Sequence, residues 1–279
     1  MTAVTAPKAP SRRLSLSLNS DHSCAPLSYL EMGRADGPVL VFLHGLGADC
    51  LAWHYCLPAF MARYRIIALD LPGHGRSGHE VGDGDVAFMT GWLDEALTLL
   101  KVTSAHVVGH SMGAKLALGL AHRHSERVQS LSLIAPAGLG GPFHYETMDA
   151  YLAAPSLKTA HDLARFLVAD SHAQMVPALA QALFEAVSNP ERQAAFAKLL
   201  ETAKTFGVAL SPEWRDWTRL RCPIQFIWGD QDRLTPLREA AYLPVDAAIH
   251  VLPDVGHLPH VEAGAMVVAR LKAFLETAV

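Results

Sequence analysis

The chain has 279 residues, of which 51% are hydrophobic, and a formal net charge of −4. That length and apolar content suit one α/β domain with an insertion and a sizeable buried core. The acidic balance and the lack of a basic stripe argue against nucleic-acid binding, and no apolar run reaches the ~20 residues of a membrane helix.

Taken in chain order, residues 1–12 carry Pro, Ala, Thr and basic side chains with no apolar signal core, and they read as a disordered extension. Segments 13–18 and 27–32 alternate like antiparallel edge strands. Six further strands are predicted at 39–43, 65–69, 106–108, 131–134, 224–228 and 248–252. Helical patterns at 57–63, 86–101, 112–124, 237–243 and 262–278 separate them. This alternation predicts an α/β fold with a mostly parallel eight-stranded sheet flanked by helices. The stretch 138–219 breaks the rhythm. It is rich in Ala, Leu and Gln and is punctuated by Pro155, Pro177, Pro190 and Pro212. It reads as a helical lid inserted into a core made of residues 13–137 and 220–279. The cysteines, Cys24, Cys50, Cys56 and Cys222, are scattered without a C-x-x-C pair, which points to reduced cytosolic thiols and no metal site.

Chemistry is carried first by Gly109-His110-Ser111-Met112-Gly113, set between a strand run and a helix run. A serine there sits on a sharp strand-to-helix turn with its hydroxyl exposed near the positive end of a helix. The glycines are required because side chains would collide with the neighbouring strand and helix. Upstream, strand 39–43 runs into His44-Gly45-Leu46-Gly47, a turn able to aim a backbone N–H at the serine. The N–H groups of Leu46 and Met112 are the predicted oxyanion donors.

An acid is expected after strand 224–228, where Asp230 and Asp232 compete. Asp232 lies deeper in the turn and is better placed to reach across the top of the sheet, which leaves Asp230 to form the turn or cap a helix. The segment after strand 131–134, Ala135-Pro136-Ala137-Gly138, has no carboxylate to offer. The base is read as His257, in the loop after the last strand, with His260 opening the final helix. The order Ser111, Asp232, His257 is that of the α/β-hydrolases.

His44-Gly45-Leu46-Gly47, Asp70-Leu71-Pro72-Gly73-His74-Gly75-Arg76-Ser77-Gly78, the elbow and Gly256-His257 together resemble the serine-nucleophile α/β-hydrolase superfamily over nearly the whole chain. Within it, residues 133–140 and the short lid resemble the hydrolase-type E2 component of acetoin dehydrogenase systems. The resemblance implies hydrolysis of a carboxylic ester or thioester through an acyl-enzyme, with no cofactor and no metal. Alternatives on the same scaffold are C–C bond hydrolysis of vinylogous diketones, acyl transfer in acetoin cleavage, and a ligand receptor of slow turnover. The C–C hydrolases that the scaffold resembles usually carry a longer Gly-rich oxyanion loop and a Trp after the histidine, where this chain has Leu258.

Pocket residues are sought at Trp53 in the core and at Phe143, Phe166 and Met175 in the lid. His144, Arg165, Lys204 and Arg215 either meet a substrate carboxylate or stay solvated. The elbow departs from the commoner Gly-Gly ending, since Ala114 and Lys115 follow Gly113, and Lys115 is expected to point into solvent. The expected partner is a small-molecule substrate, with neither nucleic acid nor membrane involved and an oligomer compatible with the sequence. The expected location is the cytoplasm.

Overall fold

The computed structural model describes residues 12–17, 26–139, 144–206, 216–237 and 243–278. Strands β1 (Arg12–Ser17), β2 (Pro26–Gly33), β3 (Val39–Leu43), β4 (Arg65–Leu69), β5 (Ala105–His110), β6 (Val128–Ile134), β7 (Ile224–Gly229) and β8 (Ala248–Leu252) form one sheet. Their order is β1-β2-β4-β3-β5-β6-β7-β8. Only the β1–β2 and β2–β4 pairings are antiparallel among these. The chain thus starts with an antiparallel edge and continues through crossovers.

Both faces of the middle strands are covered, so they read as continuous apolar runs rather than alternating ones. Leu40, Val41, Phe42 and Leu43 of β3 are all fully buried. Val41 and Leu43 pack with helices α1 (Val86–Leu99) and α2 (Met112–Arg123), which share the first face. Leu40 and Phe42 pack on the other face with Trp53, Phe60 and helix α8 (Gly264–Thr277), which buries Val267, Leu271 and Leu275. Cys50 and Cys56 lie in that second layer. The Cys56 thiol is 3.8 Å from the His260 carbonyl, and burial pushes it up to about 12.

Between β6 and β7 the chain forms α3 (Tyr145–Ala153), α4 (Leu157–Leu167), α5 (Val176–Ala186) and α6 (Pro190–Phe206). Helix α4 starts at a capping box in which Ser156 and Thr159 satisfy each other's backbone N–H groups. These helices hold a core of their own, including Tyr151, Leu163, Leu183 and Phe196. The Tyr151 hydroxyl donates to the Leu183 carbonyl at 2.6 Å and so ties α3 to α5.

Two sequence expectations change here. The helix sought at 57–63 is a single 3-10 turn, Leu57–Phe60, because the chain must reverse into β4, and the N–H groups of Arg63 and Tyr64 both fold back onto the Phe60 carbonyl. The last helix is broken at Ala263 into α7 (Pro259–Glu262) and α8, since Ala263 has φ −132° and ψ 42°. The helix sought at 237–243 falls largely outside the described residues, as does the N-terminal extension.

Loops on the carboxyl side of the sheet are bound together by Asp70. Its carboxylate accepts from Ser28 Oγ at 2.7 Å, Cys50 N at 2.9 Å and Arg76 N at 3.0 Å. Burial pushes this carboxyl up, but the Cys50 and Arg76 N–H groups and the Ser28 hydroxyl outweigh it and hold the group below the usual carboxylate range. Among the described residues, no helix is long and apolar enough to cross a membrane. Asp70→Ala strands three donors, two of them buried, and should lower stability by about 3 kcal/mol in urea unfolding at neutral pH. Because the folded pKa is depressed, the wild-type carboxylate stabilises above its unfolded value of ~3.9 and loses that contribution as pH falls through the folded value, so the deficit should shrink in acid.

Candidate active site

Ser111 joins β5 to α2 with φ 51° and ψ −112°, a conformation that an L-residue holds only when its surroundings impose it. Here they do. Ser111 N donates to the Ile134 carbonyl at 2.9 Å, and the Ser111 carbonyl accepts from Lys115 N and Ala137 N. A Cβ on Gly109 would sit 2.6 Å from the Ala114 backbone, and one on Gly113 would overlap the carbonyls of Leu43 and His44.

The turn after β3 is held by two buried histidines. His44 Nε2 accepts from Leu71 N at 3.0 Å while its Nδ1 lies 2.8 Å from the Gly45 carbonyl. His74 Nε2 accepts from Gly47 N at 3.0 Å while its Nδ1 lies 2.8 Å from the Pro72 carbonyl. An imidazole that accepts at one nitrogen and donates at the other is neutral, with the proton on Nδ1. Leu46 is thereby pinned between residues fixed on both sides. A third histidine, His110, donates from Nε2 to the His257 carbonyl at 2.8 Å. All three stand within the motifs read from the sequence, which assigned their side chains no role. The signal available was their position at strand ends beside glycines.

Asp232 follows β7 and is buried. Its Oδ1 accepts from Leu234 N and Thr235 N, each at 2.9 Å, and its Oδ2 accepts from Thr235 Oγ1 at 2.9 Å. Asp232 Oδ2 also lies 2.9 Å from His257 Nδ1. Burial pushes the Asp232 carboxyl up, but the charge and hydrogen bond of His257 and the Thr235 donors outweigh it and hold the group below the usual carboxylate range. A carboxylate at Nδ1 places the proton there and leaves Nε2 as the basic nitrogen. Asp230, by contrast, is exposed and accepts from Val255 N at 3.3 Å, which joins two loops.

Ser111, His257, Leu46 and Met112 share the wall of one cavity of about 620 Å³. Apolar side chains from the four helices α3 to α6, such as Tyr151, Leu163, Leu183 and Phe196, close it from above. Of the sequence-based pocket residues, Trp53, Phe166 and Met175 are described, and none is on this wall. Trp53 is fully buried, 5.1 Å from Phe42 and 4.5 Å from His260 between ring centres, so it is core. Helix α4 turns Leu163 and Leu167 to the cavity, which leaves Phe166 on its flank beside His144 and the Asp230–Arg233 turn. Met175 ends the 3-10 segment Asp170–Met175, away from the wall. Phe143 and Arg215 lie outside the described residues. Lys204 pairs with Asp149, and Arg165 lies 3.8 Å from Asp170. Lys115 corrects another expectation. It lines the cavity, and burial pushes its ammonium down to about 8.

Asp49, Cys50 and Asp70 have ligand atoms within 4.8 Å of one another. Both Asp70 oxygens and Asp49 Oδ1 are already engaged by N–H or O–H donors, which does not suit a metal.

Residues 38–264 match the model of the α/β-hydrolase fold family. The chain belongs to that family. It is 32% identical over 257 residues to the dihydrolipoyllysine-residue acetyltransferase component of an acetoin cleaving system from Pseudomonas putida, a match covering 89% of this chain. The counterpart from Cupriavidus necator is 28% identical over 242 residues, 80% of this chain. The chain spans 66% and 59% of the length of these two relatives. A 2-hydroxy-6-oxo-6-phenylhexa-2,4-dienoate hydrolase from Comamonas testosteroni is 28% identical over 248 residues, 83% of this chain and 84% of that protein. Among solved structures, a meta-cleavage product hydrolase from Pseudomonas fluorescens superimposes with a TM-score of 0.83 at 25% identity, over 95% of this chain and 98% of that one.

Burial pushes His44 down, His74 and His110 well below the ordinary imidazole value, and His260 to about 3. A histidine whose folded pKa is depressed stabilises fully above its unfolded value of ~6.5 and loses that contribution as pH falls below it. Urea stability should therefore fall on acidification from pH 6.5, by up to about 1.4 kcal/mol per pH unit for each such histidine. His260→Gln should flatten that slope; an unchanged slope would show that His260 does not titrate in this way.

Proposed function

We propose that the protein is a serine hydrolase that cleaves a carboxylic ester or thioester of a small, largely apolar acyl substrate. The observation that carries this is the 2.9 Å approach of Asp232 Oδ2 to His257 Nδ1, with His257 and Ser111 on one cavity wall. Ser111 Oγ attacks the carbonyl carbon as His257 Nε2 takes its proton. Asp232 holds the tautomer and stabilises the imidazolium. The N–H groups of Leu46 and Met112 receive the oxyanion, each such donor contributing typically about 3–4 kcal/mol to the transition state. The tetrahedral adduct collapses and expels the alcohol or thiol, which leaves with the proton from His257. Water then attacks the acyl-serine, again through His257, and frees the acid. Nothing in these steps requires a metal or an organic cofactor. The substrate is a small molecule, and neither nucleic acid nor a membrane takes part.

The helices between β6 and β7 act as the lid. Their apolar side chains favour an acyl chain or ring over a polar group. A second reading, C–C bond hydrolysis, is favoured by the likeness to the dienoate and meta-cleavage product hydrolases. Against it stand the short turn Gly45-Leu46-Gly47-Ala48-Asp49 and Leu258 after the base. Acyl transfer, suggested by the acetyltransferase relatives, would differ only in the acceptor that replaces water.

Ser111→Ala should abolish labelling by a fluorophosphonate and lower kcat on a 4-nitrophenyl ester by on the order of 10⁴ or more. Asp232→Asn should cost roughly 10⁴-fold through the wrong tautomer, and Asp230→Asn far less. Labelling of Ser111→Ala at the parental rate would exclude this nucleophile. A ring-cleavage diketone turned over in preference to esters and thioesters would select the second reading, and tight ligand binding with negligible turnover of the whole panel would select a receptor.

Substrate range should follow the lid residues that line the cavity. Leu183→Ala or Phe196→Ala should shift acyl-chain preference in a graded way, by about 1–3 kcal/mol per methylene accommodated. Met175→Ala should leave it unchanged. An identical chain-length profile in all three variants would mean that the lid does not select the substrate.

A further inference from the structure

Glu262 is a fully buried carboxylate that the mechanism above does not use. Its side chain is 0% exposed, and it projects from α7 into the loop that carries His257. Oε2 accepts from Gly256 N at 2.9 Å and Oε1 from Leu258 N at 3.0 Å. These are the residues on either side of His257. Oε2 also accepts from Ala169 N at 2.8 Å, where the chain leaves α4. The nearest cationic candidate among the described residues is His172, whose Nδ1 lies 3.6 Å from Oε2.

The loop and the lid meet at two further points. His257 N donates to the Leu167 carbonyl at 2.7 Å. A Cβ on Gly256 would lie 2.5 Å from that same carbonyl and 2.7 Å from Ala169 N. Three successive backbone N–H groups, of residues 256, 257 and 258, are thus spoken for by one side chain and one lid carbonyl. A buried carboxylate is costly unless its lone pairs are filled by donors, and here the donors are the backbone on which the imidazole is mounted. Glu262 itself does not line the cavity.

We propose that Glu262 is a positioning residue that fixes the backbone on both sides of His257 and clamps it to the lid at Ala169. The proposal rests on the assignment of His257 as the base. The side chain of Asp232 sets the rotation of the imidazole, and Glu262 sets where the ring is carried. Displacement of a catalytic group by about 1 Å is enough to cost on the order of 10²-fold in rate.

The test is Glu262→Gln in the full chain. It keeps the size of the side chain but turns an NH₂ towards N–H donors. The result expected is a fall in kcat on the order of 10- to 100-fold with KM changed by less than about two-fold, because the cavity wall is untouched. The low-field ¹H resonance of the proton between His257 Nδ1 and Asp232 should shift or broaden in the same variant. A second variant reaches the bond from the other side. Ala169 has φ −65° and Val168 before it has φ −99° and ψ 152°, backbone that proline accepts, so Ala169→Pro deletes one donor and sets its Cδ against Oε2, which displaces the carboxylate with little change of the lid's path. It should lower kcat in the same sense.

A folded Glu262→Gln with parental kcat overturns the proposal. So does a loss carried by KM, or a loss of kcat with the resonance unmoved. If that variant does not fold, Ala169→Pro decides by the same two readouts. Ser111→Ala and His257→Ala run alongside keep the two assignments apart. If either retains parental turnover, the reading of the site falls. If both are inactive and Glu262→Gln is not impaired, only the role of Glu262 falls.

Discussion

A serine at φ 51° and ψ −112° lies outside the comfortable basins of an L-residue, at a cost on the order of 1–3 kcal/mol. It persists because three elements crowd the same point. Strand β5 delivers the chain from the centre of the sheet, α2 leaves it at once, and β3 passes alongside with the Leu43 and His44 carbonyls against Gly113. Relaxing Ser111 would require one of these to withdraw from a core in which both faces of the middle strands are closed. The strain is therefore held by the apolar packing on both faces of the middle strands. Its effect is local and chemical, since it points a hydroxyl into the cavity beside the first N–H groups of a helix.

Around that point the protein uses polar groups as struts and keeps most of them uncharged. His44, His74 and His110 each link two backbone segments as neutral imidazoles, which are far cheaper to bury than ions. The carboxylates are treated differently. Asp70, Asp232 and Glu262 are buried, and each is surrounded by N–H or O–H donors from the loops it organises. Charge is tolerated where it collects several loop ends at once. The sheet supplies strand ends in register, and these side chains convert them into a rigid rim.

How much of this was legible depends on the range of the interaction that decides each position. The elbow, the glycine turn after β3 and the strand series rest on local rules about backbone and periodicity, and the strand positions and family follow from them. The preference for Asp232 over Asp230 came from depth within a turn, and the two residues do separate in the structure, one beside His257 and the other in solvent. The cavity wall was not legible in that way. Phe166 and Leu167 are neighbours in α4, and which of them faces the cavity is set by how α4 rests on α5 and on the His257 loop. Trp53 is drawn into the core by Phe42 and His260, residues distant in sequence. Lys115 is turned to the cavity because side chains of α3 to α6, not solvent, lie above α2. Glu262 carried no motif by itself; its meaning lies in three N–H groups, one of them 93 positions away.

The layer between β3, β4 and the C-terminal helices holds Cys56 in a state with chemical consequences of its own. Thiolate, not thiol, is what alkylating and oxidising reagents attack. With its ionisation displaced to about 12 and no path to solvent, Cys56 is inert while the fold is closed. Modification must then wait for the layer to part, and its rate under native conditions counts those openings. The sulfur that bonds to the carbonyl of His260, two peptide units beyond Leu258, is a reporter already built beneath the loop that bears His257, keeping time on the breathing of that part of the molecule.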